Sequence, residues 1–210
     1  MRVVGGSARG RKLIAPAGGA IRPTSDRVRE AVFNMLASRG APQGQVVLDL
    51  FSGSGAMGIE ALSRGASQVF LVDSDPQAVQ TIRANLASTG LVPLDLPSGG
   101  SALAQPVPQR AFASPRPFEV GAQVVLAEAV SWVTRSPLAA GADLVMCDPP
   151  YSFVDWDLLL APLSAPLVVV ESDRAVTAPL SWEVLVQRHY GTTVVTLFST
   201  APPISTKGGW

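Results

Sequence analysis

Four residues stand out for their chemistry. Asp148, Pro149, Pro150 and Tyr151 sit in the stretch DLVMCDPPYSF, residues 143–153. An apolar run, Leu144 to Cys147, ends there on a carboxylate, two prolines and a ring. An exocyclic amine on a nucleobase is a poor nucleophile, because its lone pair is shared with the ring. It becomes reactive when acceptors hold its hydrogens and turn the lone pair toward an electrophile. The Asp148 carboxylate and a main-chain carbonyl of the Pro149–Pro150 turn are suited to that task. Each proline confines the residue before it to extended backbone, and neither brings an N–H that would compete. The turn is therefore stiff before a substrate arrives, as catalysis by positioning requires. Tyr151 offers a flat face to an extruded base, worth roughly 1–3 kcal/mol per stacked base. A plain strand-ending turn also favours Asp and Pro, but leaves unexplained a second motif elsewhere in the chain.

That motif is VLDLFSGSGAMG, where Gly53, Gly55 and Gly58 spell G-x-G-x-x-G. Glycine permits a tight turn and brings a ligand close to bare backbone. A helix starting there offers free N–H groups. Asp73 lies 20 residues beyond Gly53, where an acid can accept both hydroxyls of a ribose. The pattern points to an adenosine-type cofactor in an open α/β sheet. NAD and S-adenosyl-L-methionine both remain open on these grounds. Asp49 favours the second, since a carboxylate inside the strand end suits a cationic amino acid moiety and repels a pyrophosphate. Phe51 and Ser74 fall in the same group of candidate cofactor contacts. Glu128 has two readings, as a neighbour of the adenine ring or as an acid at a helix N-terminus.

These residues need a frame. QVVLDL (45–50), QVFLVD (68–73), VGAQVVLA (120–127), ADLVMC (142–147) and APLVVVES (165–172) read as strands. Helical patterns over 56–65, 76–88, about 128–135 and about 154–163 alternate with them. Nearly continuous apolar strands alternating with helices predict a parallel sheet covered on both faces. The strands WEVLVQRHY and TTVVTLFS follow with no helix between, which predicts an antiparallel edge. Ahead of all this, RVVGG and KLIAP suggest a basic β-hairpin or arm. RPTSDRVREAVFNMLASRG suggests a helix capped by Thr24 or Ser25, with Val28, Ala31, Val32, Met35 and Leu36 on one face. Three regions are expected: an extension over 1–40, a main domain over 41–200 and a loose tail over 201–210. Residues 91–119 hold six of the chain's eighteen prolines without periodicity and read as a surface insertion.

The bulk numbers narrow the function classes. One Cys and one His exclude a disulfide framework and a usual zinc site. The opening lacks the apolar core of a signal peptide. The longest apolar stretch is broken by Pro162 and Pro166, short of the ~20 residues a bilayer span needs. A soluble cytoplasmic protein is expected, without membrane or metal partners and monomeric. Net charge is zero, but residues 1–39 carry +6 and the remainder −6. A basic arm on an acidic body suggests a polyanion met at one end. Arg9, Arg11, Lys12, Arg22 and Arg27 are the candidate phosphate contacts.

VLDLFSGSGAMGIEALSRGA and DLVMCDPPY together resemble the amino-methyltransferases that use S-adenosylmethionine. With RVVGGSARGRKL and RPTSDRVREAVFNML, the whole chain resembles the bacterial RsmD type, which methylates the N2 amine of one guanine in small-subunit (16S) ribosomal RNA. The likeness runs from residue 2 to about 198, apart from 91–119. It implies a doubly wound, Rossmann-like methyltransferase fold with a mostly parallel seven-stranded sheet. It implies that Asp49, Gly53, Gly55 and Asp73 hold the cofactor and that Asp148 to Tyr151 hold the guanine. The insertion is longer than that pattern, and Glu128 stands where Asn or Asp is expected. Rival readings are a DNA adenine methyltransferase, an NAD oxidoreductase and a non-catalytic RNA-binding assembly factor of the small ribosomal subunit. A covalent cytosine mechanism at Cys147 is disfavoured, because a mid-strand thiol usually behaves as a small buried hydrophobe.

Overall fold

A computed structural model describes residues 1–16, 25–91 and 121–200. Arg22, Thr24, nearly all of the Pro-rich segment and the tail fall outside the described residues. Five strands run parallel: β1 (Val46–Leu50), β2 (Gln68–Asp73), β3 (Gly121–Leu126), β4 (Leu144–Cys147) and β5 (Leu167–Ser172). β6 (Glu183–Tyr190) and β7 (Thr193–Ser199) form a hairpin, and β7 joins β5 antiparallel. The seven-stranded order is β3-β2-β1-β4-β5-β7-β6. The direction of winding reverses between β1 and β4, the switch point where open α/β sheets hold their ligands. This is the Rossmann-like α/β methyltransferase fold.

Six helices accompany the sheet among the described residues: α1 (Asp26–Ala37), α2 (Ala56–Ser63), α3 (Pro76–Thr89), α4 (Ala129–Arg135), α5 (Pro137–Ala140) and α6 (Trp156–Leu160). The sheet's alternation divides the core in two. Val47, Met146, Val169, Val195 and Leu197 pack with α1, α2 and α3 on one face. Leu48, Leu50, Val145, Cys147, Val168, Val170 and Phe198 pack with α4, α5 and α6 on the other. The structure adds α5, which Pro137 and the cap of Ser136 on the Leu138 N–H initiate. α6 covers only five residues of the expected stretch.

The N-terminal region keeps the expected arm but departs from its sequence pattern at α1. Residues 1–15 form a short hairpin-like arm: one antiparallel bridge, Arg2 to Lys12, with Val3 N–H donating to the Arg11 carbonyl (3.0 Å), Gly10 N–H to the Val3 carbonyl (2.9 Å) and Leu13 N–H to the Met1 carbonyl (3.1 Å). The segment gets its order from α2 and α3. Ser7 N–H donates to the Ser63 carbonyl (2.7 Å), Ala8 N–H to Ser63 Oγ (2.9 Å) and Val4 N–H to Glu60 Oε2 (2.8 Å). Gly6 has φ +76°, and a Cβ there would lie 1.8 Å from the Ser63 carbonyl oxygen, so only glycine fits. Ser25 caps α1 by accepting from Val28 N–H. The buried face of α1 is rotated from the expected one: Arg29 and Phe33 are buried while Ala31 and Met35 are only half-buried. The buried Arg29 guanidinium lies 3.6 Å from the buried Glu60 carboxylate and 2.8 Å from Asp26, and Arg64 closes on Glu60 at 2.6 Å. One of the eight basic side chains of the front end is thus committed to the core. Removing a single member of such a buried set typically costs ~3–5 kcal/mol.

Candidate active site

All five parallel strands end at one edge, and the candidate residues gather there. Ser52 opens the loop after β1: its N–H donates to the Val72 carbonyl and its Oγ to the Asp49 carbonyl. Phe51, one residue earlier, sits at φ +61°, a left-handed conformation that costs a non-glycine residue of order 1–3 kcal/mol and clusters at ligand sites. The three glycines then divide their labour. A Cβ on Gly53 would meet only the Phe51 carbonyl oxygen, at 4.0 Å, so that position faces open space. A Cβ on Gly55 would press on Leu71 and Ile82 at 3.1–3.2 Å, and one on Gly58 would press on Leu71 at 2.8 Å. Gly53 therefore bares backbone toward open space, whereas Gly55 and Gly58 let α2 close onto β2.

Two carboxylates hold this loop. Asp73 Oδ2 accepts from Gly53 N–H (2.7 Å) and Oδ1 from Asp75 N–H (2.9 Å). Asp49, 2 % exposed, accepts from Gly58 N–H through Oδ2 at 2.8 Å. Burial pushes its carboxyl up to about 8, against the lowering effect of the Gly58 bond and with help from the charges of Asp148 and Asp73. Ser74 follows β2 and is exposed.

Glu128 stands at the carboxyl edge of β3, at the start of a helix. It is the N-cap of α4, accepting from Val130 N–H (2.9 Å) and Ser131 N–H (2.7 Å). Burial acts to raise its carboxyl, but the Ser131 and Val130 bonds outweigh that and lower it.

The proline turn stands next door. β1 and β4 are adjacent with Leu50 opposite Cys147, and Asp148 N–H donates to the Leu50 carbonyl (3.4 Å). Phe153 N–H donates to the Pro150 carbonyl (2.8 Å), closing the turn. The Phe51 and Phe153 rings meet edge-on at 5.2 Å, and Phe153 meets Trp156 at 5.1 Å. An aromatic chain thus ties the strained residue of the glycine loop to the segment after the proline turn. Pro149 is buried, Asp148 half-buried and Pro150 exposed. Tyr151 is 40 % exposed, with its hydroxyl 2.9 Å from Thr193 Oγ1 at the start of β7. Burial pushes the Cys147 thiol up, reinforced by Asp49 and Asp148, so it is no thiolate nucleophile.

Arg9, Arg11 and Lys12 are exposed on the arm over α2 and α3. Its tip reaches Ser63 at the far end of α2, while its ends lie at the glycine loop: Ser54 Oγ contacts Met1 Sδ, and Asn85 bonds both backbone groups of Ile14 and the Ser54 carbonyl. Arg27 follows Asp26, whose carboxylate lies 3.8 Å from Arg2 of the arm, and it lines a cavity of about 300 Å³ with Ser25, Val28, His189, Tyr190 and Gly191. That cavity borders the β6–β7 turn, beside the residue that holds Tyr151. Sequence reasoning missed Asn85, Phe153, Thr193 and the buried acid Glu171. For Glu171 a signal existed, an acid ending the apolar run LVVV.

Comparison with known proteins finds the same fold. The family described as Conserved hypothetical protein 95 matches residues 1–103. Ribosomal RNA small subunit methyltransferase D of Escherichia coli (strain K12) is 47 % identical over 88 residues, 42 % of this chain and 43 % of that protein. The Haemophilus influenzae protein of the same name is 26 % identical over 203 residues, 91 % of this chain and 89 % of that one. The solved structure of yhhF from Escherichia coli superposes with TM-score 0.71 at 29 % identity, covering 96 % of this chain and 98 % of that one. The chain is similar to the RsmD-type proteins over most of its length. In its match to the Escherichia coli (strain K12) protein the chain spans less than half of that relative's length. Among the described residues no helix is long and apolar enough to cross a membrane.

Proposed function

We propose that this protein transfers a methyl group from S-adenosyl-L-methionine to the exocyclic N2 amine of a guanine in small-subunit ribosomal RNA. The observation that carries this reading is the adjacency of the glycine loop and the proline turn, joined by the Asp148–Leu50 bond and the Phe51–Phe153 contact. A nucleoside-type cofactor fits the first. Gly53 faces open space, and Asp73, with about four acceptor sites in its carboxylate, keeps capacity for ribose hydroxyls beyond its two backbone partners. Asp49 offers a buried carboxyl to an ammonium group. When bound, the cofactor supplies an electrophilic methyl group.

The protein's own part is positioning. The flipped guanine lies against Tyr151, whose ring is held by the Thr193 bond. Asp148 accepts one amine hydrogen, and the Pro149 carbonyl the other, since Pro150's carbonyl already accepts from Phe153. The lone pair is then turned toward the cofactor side of the cleft, and Asp148 is placed to take the released proton. Arg9, Arg11, Lys12 and Arg27 contact phosphates of the RNA. The likeness to relatives named for small-subunit ribosomal RNA supports that substrate.

The test is incubation with methyl-labelled S-adenosylmethionine and either free small-subunit RNA or assembled subunits, followed by nucleoside analysis. Label in N2-methylguanosine is expected. Label in adenine, or in protein, overturns the substrate assignment; cofactor binding without transfer indicates an assembly factor.

A further inference from the structure

We infer that Glu171 selects guanine, by accepting the ring N1–H beside the amine that Asp148 holds. This rests on the reading above and adds to it the residue that distinguishes guanine from other bases carrying an amine.

The strand register places Glu171 in the site. Cys147 of β4 lies opposite Val170 of β5, so the next residues, Asp148 and Glu171, end neighbouring strands side by side. Their faces agree. Met146 and Val169 pack on the α1–α3 side, while Cys147 and Val170 pack on the other. By alternation Asp148 and Glu171 return to the Met146 and Val169 side, which is also the side of Asp49. Glu171 pairs with Val195 of β7, two residues from the Thr193 that holds the Tyr151 hydroxyl. To make that bond, Tyr151 must reach from the end of β4 past β5 to β7. Its hydroxyl therefore lies near the carboxyl end of β5, where Glu171 is 8 % exposed. A carboxylate so buried is costly to keep, and its roughly four acceptor sites leave room for a substrate donor beside any partner in the chain.

Base chemistry then decides what this pair reads. In adenine the amine stands beside N1, an acceptor. In cytosine it stands beside N3, also an acceptor. In guanine it stands beside N1–H, a donor. Two neighbouring carboxylates thus match the adjacent donors of guanine, while the second would face a ring lone pair in adenine or cytosine. A site that hydrogen-bonds a substrate N–H rejects analogues lacking it far more strongly than shape alone can.

The experiment uses RNA with guanine or 2-aminopurine at the methylated position. 2-Aminopurine keeps the amine but accepts at N1. Wild type is expected to favour guanine by roughly 10²-fold or more in kcat/KM. Glu171→Gln should lose about 10- to 100-fold on guanine and little on 2-aminopurine, so the ratio collapses. The missing O6 of 2-aminopurine affects both enzymes alike and cancels. A ratio unchanged by Glu171→Gln, whatever the overall rate, overturns the inference. So does wild type using both bases equally, a result that needs no variant to fold. Wild type that methylates no guanine fails the functional reading itself, and Glu171's role with it.

Discussion

The loop after β1 and the turn after β4 end adjacent strands, yet they are made rigid by opposite means. The loop is fixed by hydrogen bonds from its backbone to two acids, Asp73 on Gly53 and Asp49 on Gly58. Its glycines supply fit rather than stiffness. The turn is fixed by pyrrolidine rings and by side chains gripping neighbours, Phe153 on Phe51 and Tyr151 on Thr193. The loop's geometry therefore depends on the acids that accept its N–H groups, whereas the turn's rests on ring constraint and side-chain packing. Substitutions in one should spare the task of the other.

Asp148→Ala tests that separation with the largest effect. It removes an acceptor while the prolines keep the turn's shape. Turnover should fall by roughly 10²–10⁴-fold, the range for a positioned proton acceptor, with cofactor affinity held within about twofold. Loss of cofactor binding in step with turnover would break the comparison. Gly58→Ala is the converse. Its Cβ would press on buried Leu71 at 2.8 Å and Asp49 Oδ2 at 3.0 Å, neither of which can move freely. Overpacking of about 1–3 kcal/mol should lower the melting temperature by roughly 2–4 °C per kcal/mol. Cofactor affinity should fall too, while turnover at saturating cofactor stays near wild type.

The pH response should separate the two regions next. Asp49 is raised from 3.8 to about 8 in the fold. Between those values the native state holds a proton that the unfolded chain has released. Stability from this group is full below pH 3.8 and is lost as pH rises toward 8. Binding of a cationic cofactor requires the ionised form. Affinity should therefore rise by up to about tenfold per pH unit as pH approaches 8 and level off above it. Asp49→Asn should flatten this slope in titration calorimetry, and a slope that survives would detach Asp49 from the cofactor.

How much of this was legible in the sequence follows from the range of each interaction. The parallel strands, the glycine loop and the proline turn are local patterns, and their meeting at one edge follows from topology. The burial of Arg29 was hidden because Glu60 and the Arg2 carbonyl, which its guanidinium meets beside Asp26, lie far off in sequence. The same distance hid the Asn85 bonds to Ile14 and Ser54. That Glu128 caps α4 through both carboxylate oxygens became visible only once the helix start was placed. The division of labour among Gly53, Gly55 and Gly58 depends on Leu71 and Ile82, which no spacing within the motif reveals.

Tyr151→Phe probes the finest difference between the regions. The ring stays and can still stack, so the several-fold advantage of base stacking survives. What is lost is the 2.9 Å bond to Thr193 at a position already 40 % exposed. A neutral bond of that kind contributes about 0.5–1.5 kcal/mol net, and water can replace part of it at this exposure. The expected result is a rise in KM for RNA of a few-fold, with cofactor affinity and melting temperature unchanged. Because the prolines, and not the hydroxyl, set the turn, turnover at saturating RNA should also hold. A fall in turnover as large as that of Asp148→Ala would mean that the Thr193 anchor, rather than the proline backbone, keeps the acceptors in place.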